Sequence, residues 1–257
     1  MSDLRVTLIQ SELHWHDAAA NRAQFAEKFR GLVGTTDLVL LPEMFTTGFT
    51  MDAPRYAEPM EGSSVEWMAQ QARSIGAVVA GSVIIQAGDN YYNRLIWMPP
   101  DGNVQWYDKR HLFRMADEHH HYAAGEERLV VDLLGWRICP MVCYDLRFPV
   151  WSRNRNDYDL LLYVANWPQR RSPHWRSLLM ARAIENLCYV AAVNRVGSDG
   201  NAIEYSGDST IVTPQGESLV TLANTEAVVT LTLSRDSLEH YRERFPAHLD
   251  ADDFVLH

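Results

Sequence analysis

The chain has 257 residues, 47% of them hydrophobic and 22% charged, with a formal net charge of −10. That length can bury one large core without disulfides or a structural metal, and the acidic balance excludes the basic face that nucleic-acid binding requires. No apolar run nears the ~18 residues of a membrane span, so neither nucleic acid nor membrane is an expected partner.

Three cysteines, an odd number, suggest reduced thiols and a cytoplasmic setting. The start, Met1-Ser2-Asp3-Leu4-Arg5, lacks the blocks of a signal peptide. No Pro- or Gly-rich linker divides the chain, so a single domain over 1–257 is expected, with 234–257 as a C-terminal extension.

Residues 4–10 alternate and then run apolar, as a strand entering a core does. Residues 18–32 predict a helix. A buried strand over 37–41 follows, and Pro42 ends it because proline cannot donate to a sheet ladder. Ser63-Ser64-Val65-Glu66 reads as a helix start with a hydroxyl cap, the helix running to Ser74. Residues 77–85 form a strand with Gly81 inside it. Residues 91–98 and 103–107 flank Pro99-Pro100-Asp101-Gly102, a hairpin signal.

From 109 to 127 there is no periodicity, and a loop that long in a compact domain points to function. Strands over 129–132 and 136–142 follow, joined by a tight turn at Gly135. Residues 159–165 are apolar on both parities, as in a strand covered on both faces. A helix over 173–187 starts at proline, where a missing N–H costs least, and 188–193 is another doubly buried strand. Short strands over 210–213 and 226–233 flank the turn Pro214-Gln215-Gly216. The tail from Ser234 is charged and aromatic. This alternation implies an α/β or α+β layered domain with a mixed sheet system.

Three strand ends each present one reactive group. Cys143 ends an apolar run and is followed at once by Tyr144-Asp145-Leu146-Arg147. Alone it would more often be a structural core cysteine, as Cys139 and Cys188 are expected to be. A thiol with an ordinary pKa near ~8.5 needs a neighbouring base or cation to become a nucleophile. Glu43 follows Leu41-Pro42, where a charge is hard to solvate unless paired, so it is a candidate base. Lys109 could hold the thiolate and later an oxyanion. On its own it would pass for a solvated loop charge, and Glu118 for an exposed acid.

Leu41-Pro42-Glu43, the run from Tyr107 through Phe113, and the run from Cys143 through Pro149 stand in this order along the chain. With Asn166-Trp167-Pro168 and Arg182-Ala183-Ile184-Glu185-Asn186, they strongly resemble the nitrilase (carbon–nitrogen hydrolase) superfamily. The finer resemblance is to its omega-amidase branch and the bacterial YafV-like proteins. The resemblance implies a four-layer α-β-β-α sandwich in which Glu43 is the general base, Lys109 stabilises tetrahedral intermediates and Cys143 carries an acyl group as a thioester. It also implies that Glu118 positions Lys109 and the substrate amide, and that the backbone N–H of Tyr144 shares the oxyanion. No metal or organic cofactor is expected. Tyr144-Asp145 stands where true nitrilases usually carry Trp-Glu, which favours amides over nitriles. The branch points to ω-amides of short 2-oxo dicarboxylates such as 2-oxoglutaramate. The same fold also serves nitrilases and N-carbamoyl amino acid hydrolases.

Phe45, Phe113, Tyr144 and Trp167 adjoin these strand ends and are expected to line the substrate pocket, although core packing explains them about as well. Arg147 could grip a substrate carboxylate in bidentate fashion, or serve a structural salt bridge. His119-His120-His121 tempts a metal assignment. Consecutive side chains do not converge in regular structure and no carboxylate stands at ligand spacing, so a polar loop at the site mouth is preferred. A non-catalytic interaction protein would have lost part of the triad. A papain-like Cys–His enzyme would place its cysteine early, on a long helix. Family members commonly pair, so a homodimer or higher homo-oligomer is expected, with contributions from the 173–187 helix and the tail.

Overall fold

Alternation along the first strand fixes how the layers stack. In the computed structural model, which describes residues 2–255, β1 (Leu4–Gln10) sends Leu4, Val6 and Leu8 into a central core and Ile9 into an outer one. The same division continues through β2 (Leu38–Leu40), β3 (Val78–Ala87), β4 (Asn90–Met98) and β5 (Gln105–Asp108). Leu38, Leu40, Val78 and Leu95 face inward; Val39, Val79 and Ile96 face outward against α1 (Ala18–Phe29) and α2 (Ser63–Ile75). β1, β2 and β3 run parallel, whereas β4 and β5 add antiparallel strands through hairpins.

The second sheet comprises β6 (Val131–Leu133), β7 (Trp136–Val142), β8 (Leu160–Ala165) and β9 (Tyr189–Asn194), with β7, β8 and β9 parallel. A two-stranded ribbon follows, β10 (Val196–Ser198) with β11 (Glu204–Ser206). β12 (Thr210–Val212) and β13 (Ser218–Thr221) complete the second sheet on the β9 side. β14 (Ala227–Leu233) returns to the first sheet and pairs antiparallel with β1. The helix α3 (Ser172–Asn186) covers the outer face of the second sheet with Trp175, Leu179 and Ala183. The layers are therefore α1 and α2, first sheet, second sheet, α3. This is the expected four-layer sandwich. β8 is buried at every position, as an apolar run on both parities requires.

Several local details differ from the sequence-based expectation. α1 ends at Phe29 rather than residue 32, because the chain leaves the helix through turns ending at Gly34, whose φ is +71°. α2 is not capped by a serine hydroxyl. Gly62 occupies the cap, and the Glu58 carboxylate accepts from the Ser64 N–H at 2.8 Å and from both serine hydroxyls. The turn at 214–216 joins β12 to β13, a short, mostly exposed edge strand, rather than to β14. The tail begins with a helix, α4 (Arg235–Arg244). It is bound to its own chain: Arg235 and Arg242 reach the buried Asp159 at 3.2 and 2.6 Å. Among the described residues, no helix is long and apolar enough to cross a membrane.

Candidate active site

β5 is antiparallel to β4 and β4 to β3, so β5 runs the same way as β2, and the C-terminal ends of both meet that of β7 from the second sheet here. Glu43 lies just beyond β2, where Pro42 has ended the ladder; Lys109 is the first residue after β5; Cys143 is the first after β7. All three are buried. Cys143 adopts φ of +42°, a left-handed conformation costly for a residue with a side chain, and opens a 3₁₀ turn over Cys143–Arg147. That turn faces the thiol toward the first sheet.

Glu43 is the hub. Its Oε1 accepts from Lys109 Nζ at 2.9 Å and from Asn93 Nδ2 at 2.7 Å, and its Oε2 accepts from the Asn166 N–H at 2.9 Å. The Cys143 thiol stands close enough to this carboxylate and to Lys109 to feel the charge of both. Lys109 Nζ donates in addition to both oxygens of Glu118 at 3.0 Å each. Glu118 opens the single helical turn Glu118–His121 and accepts from the Phe113 N–H, so the long loop folds back to bring this acid inside.

The electrostatics follow from burial. Desolvation pushes the Cys143 thiol well above its ordinary range and the Glu43 carboxylate adds to that rise, with Lys109 only partly opposing it. The thiol is therefore protonated at rest and must lose its proton in order to react. Burial alone would lower Lys109, but the charges of Glu118 and then Glu43 outweigh it, so its pKa rises and it stays an ammonium. Burial, with Glu43 nearby, raises Glu118 against the pull of Lys109. At rest the Lys109 ammonium is shared between two carboxylates, and its charge also favours the ionised form of the Cys143 thiol.

A second network holds the strand ends in register. The buried Asp145 accepts from the His111 and Val142 N–H groups at 2.9 and 3.0 Å and from the Tyr107 hydroxyl at 2.8 Å. Tyr107 lies on β5 and Val142 on β7, so Asp145 ties the Lys109 strand to the Cys143 strand.

A cavity of about 540 Å³ opens above Cys143. Phe113, Tyr144 and Trp167 line it as expected, joined by Phe49, Met115 and Tyr205. Phe45 does not. It is fully buried against Phe25 and Trp67, on the opposite side of the first sheet, because the chain reverses direction after Glu43. Gly81 permits this packing, since a Cβ there would stand 2.8 Å from Leu41 Cβ and 3.3 Å from the Phe45 ring. Arg147 also falls outside the cavity. It forms no ion pair with an acid among the described residues: its Nη2 lies 2.8 Å from His174 Nδ1 and its guanidinium stacks over Trp167 at 4.9 Å.

The sequence pattern gave no role to Asn93, whose amide bridges Ser82, Glu43 and Glu118. The available signal was the polar pair Asn93-Arg94 at the head of the apolar half of its strand. Arg171, on the cavity wall, was also missed, although it follows the Asn166-Trp167-Pro168 motif closely. His119, His120 and His121 border a separate surface depression with Pro54 and Tyr91 rather than the mouth of the Cys143 cavity. The expected absence of a carboxylate beside them is also corrected: the Asp117, His119 and His120 ligand atoms lie within 4.8 Å of one another.

The carbon–nitrogen hydrolase family model matches residues 5–243. The chain is 52% identical over 257 residues, the full length of both proteins, to omega-amidase YafV of Escherichia coli. It is 35% identical to a 2-oxoglutaramate amidase of Bacillus subtilis over 219 residues, covering 83% of this chain and 84% of that protein. A crystal structure of a CN-hydrolase superfamily protein from Xanthomonas campestris, with an arsenic adduct in its active site, superposes with a TM-score of 0.99 at 52% identity over the whole of both chains. With the sandwich and the buried cysteine site in place, the chain belongs to the carbon–nitrogen hydrolase family.

Proposed function

We propose that the protein is an omega-amidase that hydrolyses the terminal amide of a short 2-oxo dicarboxylic acid, 2-oxoglutaramate being the model substrate, to carboxylate and ammonia. The observation that carries this is the buried Cys143 thiol at the floor of the cavity with Glu43 and Lys109, the Lys109 ammonium being held by the carboxylates of Glu43 and Glu118. The full-length similarity to an omega-amidase supports the choice of substrate.

Glu43 takes the thiol proton as sulfur attacks the amide carbon. The oxyanion is received by Lys109 and the backbone N–H of Tyr144, groups fixed before charge develops. Collapse of the intermediate expels ammonia with the proton returned from Glu43 and leaves a thioester. Glu43 then deprotonates a water that attacks the thioester, releasing the carboxylate and restoring the thiol. Glu118 holds Lys109 in place, and Asn93 and the Asn166 N–H orient Glu43. No step calls on a metal or organic cofactor.

Three free, buried cysteines suit the reducing cytoplasm. Met180 and Ile184 stand exposed on α3 and offer a face for a homodimer, to which the segment beyond Arg244 could add. Sedimentation at micromolar concentration tests this, and a pure monomer contradicts it. The functional test is ammonia release from a panel of ω-amides, nitriles and N-carbamoyl amino acids. Turnover of ω-amides well above the rest is expected. Clear turnover of a nitrile with none from any ω-amide would overturn the assignment.

A further inference from the structure

The cavity over Cys143 is not electrically neutral in its fittings. Of the cations on its wall, Lys109 is occupied by Glu43 and Glu118, and Arg170 is exposed. Arg171 differs from both. It is half-buried, and among the described residues no carboxylate forms an ion pair with it. Its guanidinium lies over the Phe113 ring at 5.1 Å, and its Nη1 makes only a long 4.0 Å contact with Met115 Sδ. A guanidinium presents up to five donors in a planar fork matched to a carboxylate, and the half-buried Arg171 keeps that fork free of any acid on the cavity wall. Burial first, and then the neighbouring Arg170, holds its pKa below the ordinary value, so a bound anion would relieve an existing strain on the charge.

Of the acids on the wall, Glu43 is bound to Lys109, and neither Asp52 nor Asp199 lies within ion-pair distance of Arg171. Asp199 is engaged elsewhere: its Oδ1 accepts from the Asn201 and Ile203 N–H groups at 2.8 and 3.0 Å, and its Oδ2 from the Tyr205 hydroxyl at 2.9 Å. Arg171 is also fixed relative to the chemistry. It sits on the segment whose Asn166 N–H binds Glu43, and its own carbonyl accepts from Trp167 Nε1 at 2.8 Å.

We propose that Arg171 receives the carboxylate at the end of the substrate remote from the amide, so that the site selects monoamides of dicarboxylic acids over neutral amides. This rests on the amidase assignment above and adds to it the group that reads the acid. Binding is non-covalent, with Phe113 bracing the guanidinium while the amide end faces Cys143.

The test measures kcat and KM for glutaric acid monoamide and for butyramide in the wild type, Arg171→Gln and Arg171→Lys. The ratio of kcat/KM, acid-bearing over neutral, should fall roughly 10- to 100-fold in Arg171→Gln, the loss lying mainly in KM for the acid-bearing amide. Arg171→Lys, which keeps charge but not the fork, should recover part of it. A ratio unchanged within twofold, or an equal loss on both amides as expected of a residue that merely braces Phe113, overturns the proposal. On the wild type alone, glutarate should compete with the acid-bearing amide, and absence of competition also overturns it. A wild type that releases no ammonia from either amide instead refutes the amidase assignment, and the role of Arg171 with it.

Discussion

Gly125→Ala tests whether the loop carrying Glu118 is built to fix Lys109. A Cβ at position 125 would stand 2.1 Å from the Asp108 carbonyl oxygen and 2.8 Å from its carbon, both backbone atoms that have no rotamer to escape into. Ordinary contact begins at 3.4 Å, so one of the two segments must retreat by about 1.3 Å. They are also tied together: the Gly125 N–H donates to the Lys109 carbonyl at 3.0 Å, and Arg110 Nη1 donates to the Gly125 carbonyl at 3.0 Å. The retreat therefore reaches Lys109, whose ammonium must stay at 2.9–3.0 Å from Glu43 and Glu118. Misplacing a reacting constellation by ~1 Å costs on the order of 100-fold in rate, and overpacking costs about 1–3 kcal/mol of stability. At roughly 2–4 °C per kcal/mol for a chain of this size, the unfolding midpoint should drop by about 2–12 °C. Steady-state ammonia release and a thermal melt measure both. A variant with kcat within threefold of wild type and an unchanged midpoint would refute the claim that this contact sets the Lys109 position.

Further outcomes come from the same interior. Because burial raises Glu118, its ionised form works against folding. Stability linked to it is present below its unfolded pKa and is lost as pH rises through the higher folded value. Lys109 outweighs this, because the Glu118 charge is the largest that keeps its buried ammonium protonated, so Glu118→Gln should melt below the wild type near pH 8 and its turnover should fall; a midpoint above the wild type would contradict this. Asp159 behaves oppositely: burial would raise it, but hydrogen bonds from Arg137 and Arg242 hold its pKa at about 2 against an ordinary 3.8. The stability it supplies is present above 3.8 and lost as pH falls toward 2. Asp159→Asn should cost about 1–2 kcal/mol at pH 7, after allowance for solvent screening, and the gap in denaturant midpoint should narrow below pH 4. A gap independent of pH would count against the linkage. Phe45→Ala should cost about 3–5 kcal/mol with little change in KM. A large rise in KM at unchanged stability would return Phe45 to the pocket.

The sandwich was legible because its central strands are apolar on both parities or alternate cleanly between two cores, and β8 shows the first pattern without a polar break. Glu43, Lys109 and Cys143 were legible because each stands at an abrupt change from strand to polar turn. β13 was not, since a four-residue edge strand that turns only Val220 partly to the core leaves no alternating pattern in its residues. The directions of side chains after a turn were also hidden. Phe45 follows Glu43 by two residues and Arg147 follows Cys143 by four, yet neither lines the cavity: Phe45 packs on the far side of the first sheet, and Arg147 lies behind Trp167. Met44 and Cys143 themselves take left-handed backbone conformations, which redirect the side chains of the residues beyond them. Asn93 and Arg171 make their contacts across 50 and 56 positions of sequence, distances over which no local pattern carries information.

Catalysis by this route depends most directly on Cys143 becoming an acyl carrier. Wild type mixed with an ω-amide, quenched in acid during turnover and examined by mass spectrometry should show the intact protein heavier by one acyl group. Digestion should place that mass on the peptide containing Cys143. Cys143→Ala should keep the circular dichroism of the wild type, carry no adduct and release no ammonia. Turnover without any adduct on Cys143, or undiminished hydrolysis by Cys143→Ala, would contradict the mechanism.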